Sequence, residues 1–171
     1  MENKDKKDKK AIFKEILSYV IIILVVLFIK IYVVSPIRVN GNSMYDTLHD
    51  KDIMILNEFI YYFNDIKRND IVVVEEDNEY LIKRVIGLPG ERIKCENGEI
   101  YINDEIYDDK YSNSETSDFE EIKINNGEYF VLDDNRKVSL DSRTFGSYKK
   151  REIKGKATFT IFPLDRFGSK K

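Results

Sequence analysis

The segment EYLIKRVIGLPG (residues 79–90) predicts a strand followed by a chain break, and it carries a lysine among apolar residues. Alternation along a strand places Leu81, Lys83 and Val85 on one face and Ile82 and Arg84 on the other. Lys83 therefore has apolar neighbours on its own face, and burial there would favour its neutral amine. The Gly-Leu-Pro-Gly sequence that follows ends the strand. The alternative is a lysine whose stem lies along a solvated edge strand.

Short β-rich runs separated by turn residues continue on both sides of this segment and predict an all-β domain of antiparallel sheets. The Asn97-Gly98 pair lies between two such runs and predicts a two-residue hairpin. Polar residues without periodicity predict a mobile surface loop over residues 108–118. The predicted strands cover residues 53–56, 71–75, 80–86, 92–95, 100–102, 129–132 and 157–162.

Residues 16–34 form one apolar stretch, ILSYVIIILVVLFIKIYVV, with a single charge at Lys30. A helix of about 19 residues rises ~28 Å, close to the ~30 Å hydrocarbon core of a bilayer. Six lysines precede the stretch, whereas Arg38 is the one basic residue among the fifteen that follow it. The positive-inside rule therefore places the N-terminus in the cytoplasm. The sequence predicts a cytoplasmic lysine-rich arm (1–15), a transmembrane anchor (16–34) and an extracytoplasmic domain (35–171).

Two other interpretations of the apolar stretch are weaker. A cleaved secretory signal has the same basic start, but its apolar core is usually about 7–15 residues long. The residues after the stretch, Val33-Val34-Ser35-Pro36, also make a poor cleavage site. A buried helix of a soluble protein would have a polar face, and this stretch is apolar on every face.

Composition excludes several classes of function. The 171 residues carry a net charge of −3, with no basic patch or RNA-binding motif, so a nucleic-acid partner is not expected. Zinc-ligand spacing is also absent. The single cysteine, Cys95, cannot form an intramolecular disulfide. We expect it to serve as a small apolar residue within a strand.

Ser43 follows the turn-forming residues Asn40, Gly41 and Asn42, and such a turn exposes a hydroxyl and aims backbone N–H groups at a developing oxyanion. A serine nucleophile needs a base. The one histidine, His49, lies in a polar stretch, so we expect it to be a surface residue. A buried neutral lysine is a documented substitute, which makes Lys83 the candidate. An ordinary turn remains the alternative for Ser43.

The polar segment over residues 133–146 is a third candidate for chemistry. Asp141 and Arg143 are placed to form a bidentate ion pair that fixes the loop. Ser139 or Ser142 would hold a catalytic lysine in place by hydrogen bonding. A solvated loop after the strand at 129–132 is the alternative.

Taken in order, these segments resemble the type I signal peptidases, membrane-anchored Ser/Lys endopeptidases, in their short Gram-positive form. The resemblance runs from the anchor to Gly146 and rests on four motifs. They are Gly-Asn-Ser-Met-Tyr-Asp-Thr-Leu (41–48), Asn-Asp-Ile-Val-Val (69–73), Lys-Arg-Val-Ile-Gly-Leu-Pro-Gly-Glu (83–91) and the segment from Asp133 to Gly146.

The resemblance implies a role for each matching residue. Ser43 corresponds to the nucleophile, Lys83 to the general base and Ser139 to the serine that orients the lysine. Asp141 and Arg143 correspond to a structural ion pair. The Ser43 backbone N–H corresponds to part of the oxyanion hole. Some members add a side-chain donor at the position of Gly41, and glycine lacks that side chain. The pocket for small substrate residues corresponds to Met44, Leu48, Leu81 and Ile82.

Three positions depart from the family pattern. Asp46 replaces a proline, which removes a fixed φ and adds a charge near the site. Asn69 and Asp133 replace glycines, and both changes are expected to be mild because Asn and Asp tolerate positive φ best among non-glycine residues.

The resemblance further implies an all-β fold like that of the signal peptidases and the self-cleaving Ser/Lys repressors. It implies removal of signal peptides from exported preproteins after small residues (Ala-x-Ala), without a metal or cofactor. The expected partners are preprotein signal peptides and the lipid bilayer, for a monomer near the export translocon. Two rivals remain, a membrane-anchored binding protein with a degenerate site and a sortase-like transpeptidase that uses Cys95 with His49.

Overall fold

The computed structural model describes residues 2–32, 34–137 and 140–170. The chain begins with a single helix, α1 (Glu2–Tyr32), which covers the lysine-rich arm and most of the apolar stretch without a break. Over the described part of the chain, no helix meets the combined length and apolarity needed to cross a membrane.

Twelve strands among the described residues make up the rest of the fold, so the prediction of an all-β domain is confirmed. All seven predicted strands are present, most of them longer by one or two residues. The strands are β1 (Val34–Arg38), β2 (Ile53–Asn57), β3 (Ile71–Glu76), β4 (Glu79–Gly87), β5 (Arg92–Glu96), β6 (Glu99–Ile102), β7 (Glu105–Ile106), β8 (Phe119–Lys123), β9 (Glu128–Leu132), β10 (Tyr148–Lys149), β11 (Ile153–Phe162) and β12 (Gly168–Ser169). Two short helices, α2 (Ile60–Phe63) and α3 (Ser142–Phe145), lie between them.

The larger sheet has eight strands in the order β1-β2-β11-β3-β4-β9-β10, with β12 added beside β11. All the pairings within it are antiparallel. Strand β4 lies between β3 and β9, so the predicted strand around Lys83 is an interior strand and not a solvated edge. Lys83 and Arg84 are 3% and 0% exposed, which places two cations inside the domain.

The smaller sheet has the order β7-β6-β5-β8 and contains the predicted hairpin. Asn97 and Gly98 both adopt positive φ, 54° and 80°, as a type I′ turn requires. The apolar face of this sheet packs on Ile86, Phe130 and Leu132, so the second sheet covers the ends of β4 and β9.

Two features of the larger sheet were harder to predict. Strand β1 is an edge strand interrupted by Pro36, a residue that central strands exclude. Strand β11 begins four residues before the predicted start, at Ile153, and includes Gly155. A Cβ at Gly155 would lie 2.5 Å from the Asn57 carbonyl oxygen, so only glycine allows the chain to pass β2 this closely.

Residues 108–118, predicted as a mobile loop, form an irregular segment that hydrogen bonds hold against the domain. The Asn113 backbone N–H donates to the Asp134 carbonyl (3.1 Å), and its side chain donates to the Tyr45 carbonyl (2.5 Å). The buried Arg136 donates to the Thr116 hydroxyl (2.5 Å) and forms an ion pair with Asp109. These contacts place the loop beside the turn that carries Ser43.

Candidate active site

Ser43 lies half-buried in the turn that joins β1 to β2, called the serine turn below (residues 39–52). The Leu48 N–H donates to the Met44 carbonyl (2.8 Å), which closes the chain just after the serine. The Asn135 N–H donates to the Ser43 carbonyl (2.8 Å), and the Asn135 side chain donates to the Asn42 carbonyl (3.2 Å). The loop after β9 therefore fixes the position of Ser43.

Lys83 forms a buried ion pair with Asp133. Strands β4 and β9 are antiparallel with Arg84 opposite Leu132, and this register carries Lys83 next to Asp133 at the end of β9. The Lys83 Nζ donates to Asp133 Oδ2 at 2.6 Å, and the two side chains are 3% and 1% exposed. Burying a charged pair this deeply costs desolvation free energy. The position of the proton shared by Lys83 Nζ and the Asp133 carboxylate is therefore strongly constrained.

The groups around Asp133 shift the pKa of its carboxyl in opposite directions. Burial, the largest influence, raises the pKa of the Asp133 carboxyl to about 6, while the charge and the hydrogen bond of Lys83 hold it lower than burial alone would. The Ser43 hydroxyl also lowers the pKa of Asp133. Asp133 Oδ1 is buried without a hydrogen-bond partner among the described residues. Lys83 and Ser43 therefore both influence this carboxyl, Lys83 through a direct ion pair.

A second buried pair, Arg84 with Asp134, fastens the serine turn to the sheet. Both side chains are fully buried, and two hydrogen bonds of 2.7 Å join the guanidinium to the carboxylate. The Thr47 hydroxyl donates to Asp134 (2.5 Å), and Arg84 also donates to the Asn69 carbonyl (3.0 Å). The guanidinium stacks 3.8 Å from the centre of the Tyr111 ring. One arginine therefore connects the serine turn, the start of β3 and the loop after β9.

Sequence reasoning missed both buried pairs, although a signal for them exists. Two consecutive cations lie within one predicted strand, and two consecutive acids follow another. Antiparallel pairing of these strands brings Lys83-Arg84 to Asp133-Asp134. The strand order was not known from the sequence, so the match between the two dipeptides could not be assigned.

Asp141 and Arg143 form a bidentate pair with distances of 3.0 and 2.7 Å. Asp141 also accepts hydrogen bonds from the N–H groups of Arg143 (3.1 Å) and Asp133 (3.2 Å), so it both caps α3 and positions Asp133. The Ser142 hydroxyl accepts from the Val131 N–H (2.9 Å), which binds it to β9 and not to the lysine. Ser139, the lysine-orienting residue that the resemblance implies, lies outside the described residues.

The predicted pocket residues divide between two faces of β4. Met44 and Leu48 are buried in one apolar cluster with Val39 and Met54, and Ile82 packs against it. Leu81 packs against a different cluster, as strand alternation requires. Beside Ile82 lies a groove of about 310 Å³ that crosses β1 to β4, with Ile37, Leu56 and Val73 in its lining and Arg38, Glu58 and Lys154 around it.

Gly41 adopts a φ of 86°, and its N–H donates to the Asp50 carboxylate (3.0 Å). That N–H is therefore already engaged within the serine turn. No atom lies within 4 Å of the position where a Cβ would stand, so the left-handed backbone, and not crowding, opposes a larger residue here.

His49 and Cys95 are both poorly placed for catalysis. His49 packs edge-on against Tyr45, with 5.0 Å between ring centres, and its Nδ1 is buried without a partner among the described residues. Cys95 is buried in β5, where burial, followed by the charge of Asp118, raises the pKa of its thiol to about 11. A nucleophilic cysteine needs the opposite shift, so this surrounding disfavours a sortase-like reaction. The described residues contain no group of three His, Cys, Asp or Glu side chains arranged to hold a metal ion.

The sequence matches the family described as signal peptidase, peptidase S26, over residues 12–162. The chain belongs to the signal peptidase family. The match includes α1 from residue 12 onward, both sheets and all the charged pairs described above.

Relatives in this family are similar over almost the whole chain. Signal peptidase I S of Bacillus subtilis (strain 168) is 33% identical, over 96% of this chain and 97% of that protein. Signal peptidase IB of Staphylococcus aureus (strain COL) is 30% identical, over 93% and 94%. A crystal structure of a signal peptidase I from Enterococcus faecalis V583 is 31% identical with a TM-score of 0.51, and it covers 56% of this chain and 98% of that one. The predicted signal-peptidase fold is confirmed.

The three departures from the signal peptidase pattern differ in their consequences. Asn69 adopts a φ of 72°, so it takes the backbone conformation of the glycine that it replaces. Asp133 is not among the described residues with positive φ, and its side chain pairs with Lys83. Tolerance of positive φ therefore does not bear on this position, and the mild effect of the change stays a prediction. Asp46 is exposed on the serine turn, which Asn135 and Arg84 hold in place.

Proposed function

We propose that this chain is a signal peptidase that cleaves signal peptides from exported preproteins with Ser43 as nucleophile and Lys83 as general base. The observation that carries the proposal is a buried Lys83 paired with Asp133, a carboxyl whose pKa Ser43 also lowers, in a chain of the signal peptidase family. A buried lysine beside a turn-borne serine is the arrangement that a Ser/Lys acyl-transfer reaction requires.

The proposed reaction has two steps. The neutral Lys83 amine accepts the Ser43 proton while Ser43 Oγ attacks the carbonyl carbon of the last residue of the signal peptide. The amine of the mature protein leaves with that proton and an ester acyl-enzyme remains. Water, activated by Lys83, then hydrolyses the ester. The Ser43 backbone N–H would stabilise the oxyanion, Ser139 would orient Lys83, and the Asp141–Arg143 pair would keep the loop in place.

We infer a preference for small residues at the cleavage site. Met44 and Leu48 are buried in one apolar cluster against which Ile82 packs, and Ile82 also lines the groove. An apolar surface of this kind beside Ser43 would suit short side chains, as in an Ala-x-Ala sequence. Leu81, on the opposite face of β4, does not contribute to this cluster.

The experiment that tests the function is cleavage of a purified preprotein with an Ala-x-Ala site by the full-length protein in detergent or vesicles. We expect one cut after the second alanine, and we expect replacement of that alanine by tryptophan to abolish it. N-terminal sequencing of the product identifies the site. An uncut alanine preprotein, or equal cleavage of both preproteins, would contradict the proposal.

We further propose that the chain is anchored in the membrane by residues 16–34, with residues 1–15 in the cytoplasm and residues 35–171 outside. A monomer near the export translocon would then meet its substrates within the same bilayer, which raises their local concentration. The support is the six lysines before the apolar stretch and the single arginine soon after it.

A cysteine-accessibility experiment tests this topology. Cysteines introduced at Ser117 and at Asn3, in a Cys95→Ser background, should react with an impermeant maleimide from outside and from the cytoplasm, respectively. Labelling of residue 117 from the cytoplasmic side alone would overturn both the orientation and the substrate class.

The Lys83–Asp133 pair also supports a second candidate, a membrane-anchored binding protein with a degenerate site. A carboxylate at 2.6 Å favours the ammonium form of a lysine, and an ammonium cannot accept a proton from serine. A protein of this kind would bind signal peptides without cutting them.

A further inference from the structure

We propose that Asp133 is a positioning residue that takes the proton of the Lys83 ammonium, so that a neutral amine faces Ser43. This inference rests on the proposed function. It concerns a side chain that the family pattern lacks, since glycine stands at this position in the motif that the rest of the segment matches.

The geometry provides a donor, an acceptor and a rigid support. A single hydrogen bond of 2.6 Å joins Lys83 Nζ to Asp133 Oδ2, so transfer requires only movement of a proton along this bond. Asp141 accepts from the Asp133 N–H (3.2 Å), and Arg136 donates to the Asp133 carbonyl (2.7 Å). These contacts hold the backbone on both sides of the carboxylate. No described residue hydrogen-bonds to Oδ1, which leaves the second oxygen available to the Ser43 hydroxyl.

Burial favours the transferred form. Two full charges lose far more hydration free energy in a dry interior than a neutral amine beside a neutral carboxylic acid does. The same burial raises the pKa of Asp133 to about 6, which increases its capacity to hold a proton. The titratable and charged groups facing Asp133 are Lys83 from β4, Ser43 from the serine turn, Arg136 and Asp141 from the loop after β9, and Tyr148 from β10. Arg143 pairs with Asp141, and Arg136 donates to the Asp133 backbone carbonyl, so among the described residues Lys83 is the cation paired with the carboxylate.

The protons balance without any additional reactant. One proton moves from Nζ to Oδ2, and the freed lone pair of Nζ accepts the Ser43 proton as Oγ bonds to the substrate carbonyl. Nζ then delivers that proton to the leaving amine. In the second step the amine takes a proton from water, and this proton returns to Ser43 when the ester breaks. Asp133 finally gives its proton back to Nζ.

This pair titrates as a unit, and its active form holds one proton. The acid limb of kcat/KM in the wild type therefore has its midpoint near pH 6, where the pair goes from two protons to one as the pH rises. Without Asp133 the carboxylate that takes the proton is gone, and the acid limb is expected to move to higher pH.

The experiment measures kcat/KM of the full-length protein on an Ala-x-Ala preprotein between about pH 5 and pH 10. Asp133→Asn keeps the shape of the side chain and removes the acceptor. Asp133→Gly restores the family residue and serves as a second variant if the asparagine does not fold. Asp70→Asn is the matched control, because Asp70 forms a comparable pair with Lys156 (2.5 Å) outside the site. Circular dichroism melts show which variants are folded.

We expect both Asp133 variants to lose more than about 10-fold at pH 7 and to recover to within about 3-fold of wild type near pH 9.5. Asp70→Asn should keep the acid limb of the wild type. A wild-type limb in the alkaline range, an unmoved limb in the variants, or variants faster than wild type at all pH values would each overturn the inference. The last result would mean that Asp133 restrains Lys83. Failure of the proposed function itself is distinguishable, since the wild type would then leave the preprotein uncut or Ser43→Ala would still cleave it.

Discussion

Ser43→Ala is expected to abolish preprotein cleavage, with a loss of roughly 10³-fold or more in kcat, because it removes the attacking oxygen. The fold should persist. The contacts that hold this residue run through its backbone carbonyl, which accepts from Asn135, and alanine keeps that carbonyl. Cleavage of an Ala-x-Ala preprotein, followed by gel and by mass spectrometry of the products, measures the effect.

Ser117→Ala is the matched control for this variant, because it removes an exposed hydroxyl from the loop over residues 108–118. It should leave the rate unchanged. Residual cleavage by Ser43→Ala above a few per cent of the wild-type rate, with a normal melting temperature, would remove Ser43 from the reaction.

Lys83→Arg should be inactive at every pH up to about 10, with a loss of about 10³-fold or more. Arginine can keep the buried ion pair with Asp133, but it stays protonated and cannot accept a proton from serine. A lysine with a purely structural role would tolerate the same change. Measurement of kcat/KM at one neutral and one alkaline pH separates the two roles.

Lys156→Arg provides the comparison, since Lys156 is paired with Asp70 in a neighbouring part of the larger sheet. It should retain activity within a few-fold of wild type. His49→Ala should do the same, because His49 packs on Tyr45 and is not hydrogen-bonded to Ser43 among the described residues. An active Lys83→Arg protein, or a 10³-fold loss in a folded His49→Ala protein, would end the general-base assignment.

The strands could be predicted from the sequence because they rest on local pattern. Alternation around Lys83, the break at Gly87 and the Asn97-Gly98 turn each depend on a few neighbouring residues. Weak segments were missed where the local pattern is interrupted, as at Pro36 in β1. The short strand β8, whose exposed face is acidic, gave no clear signal.

The chemistry around the lysine could be predicted only in part. The identities of Ser43 and Lys83 followed from the motifs, but the partner of Lys83 depends on the register of β4 against β9, which is a long-range property. Asp133 was judged by its tolerance of positive φ, whereas in the structure its side chain pairs with Lys83. The serine turn is likewise held by Arg84 and Asn135, which no local pattern connects to it.

The central claim is that Ser43 becomes the acyl-enzyme and needs Lys83 to do so. Acylation of the full-length protein by a serine-directed penem, followed by peptide mapping in a mass spectrometer, tests it most directly. The account predicts one adduct, on Ser43, in the wild type, and none in Ser43→Ala or Lys83→Arg. An unmodified wild type would favour a degenerate binding site, and an adduct on Cys95 or equal labelling of Lys83→Arg would contradict the Ser/Lys assignment.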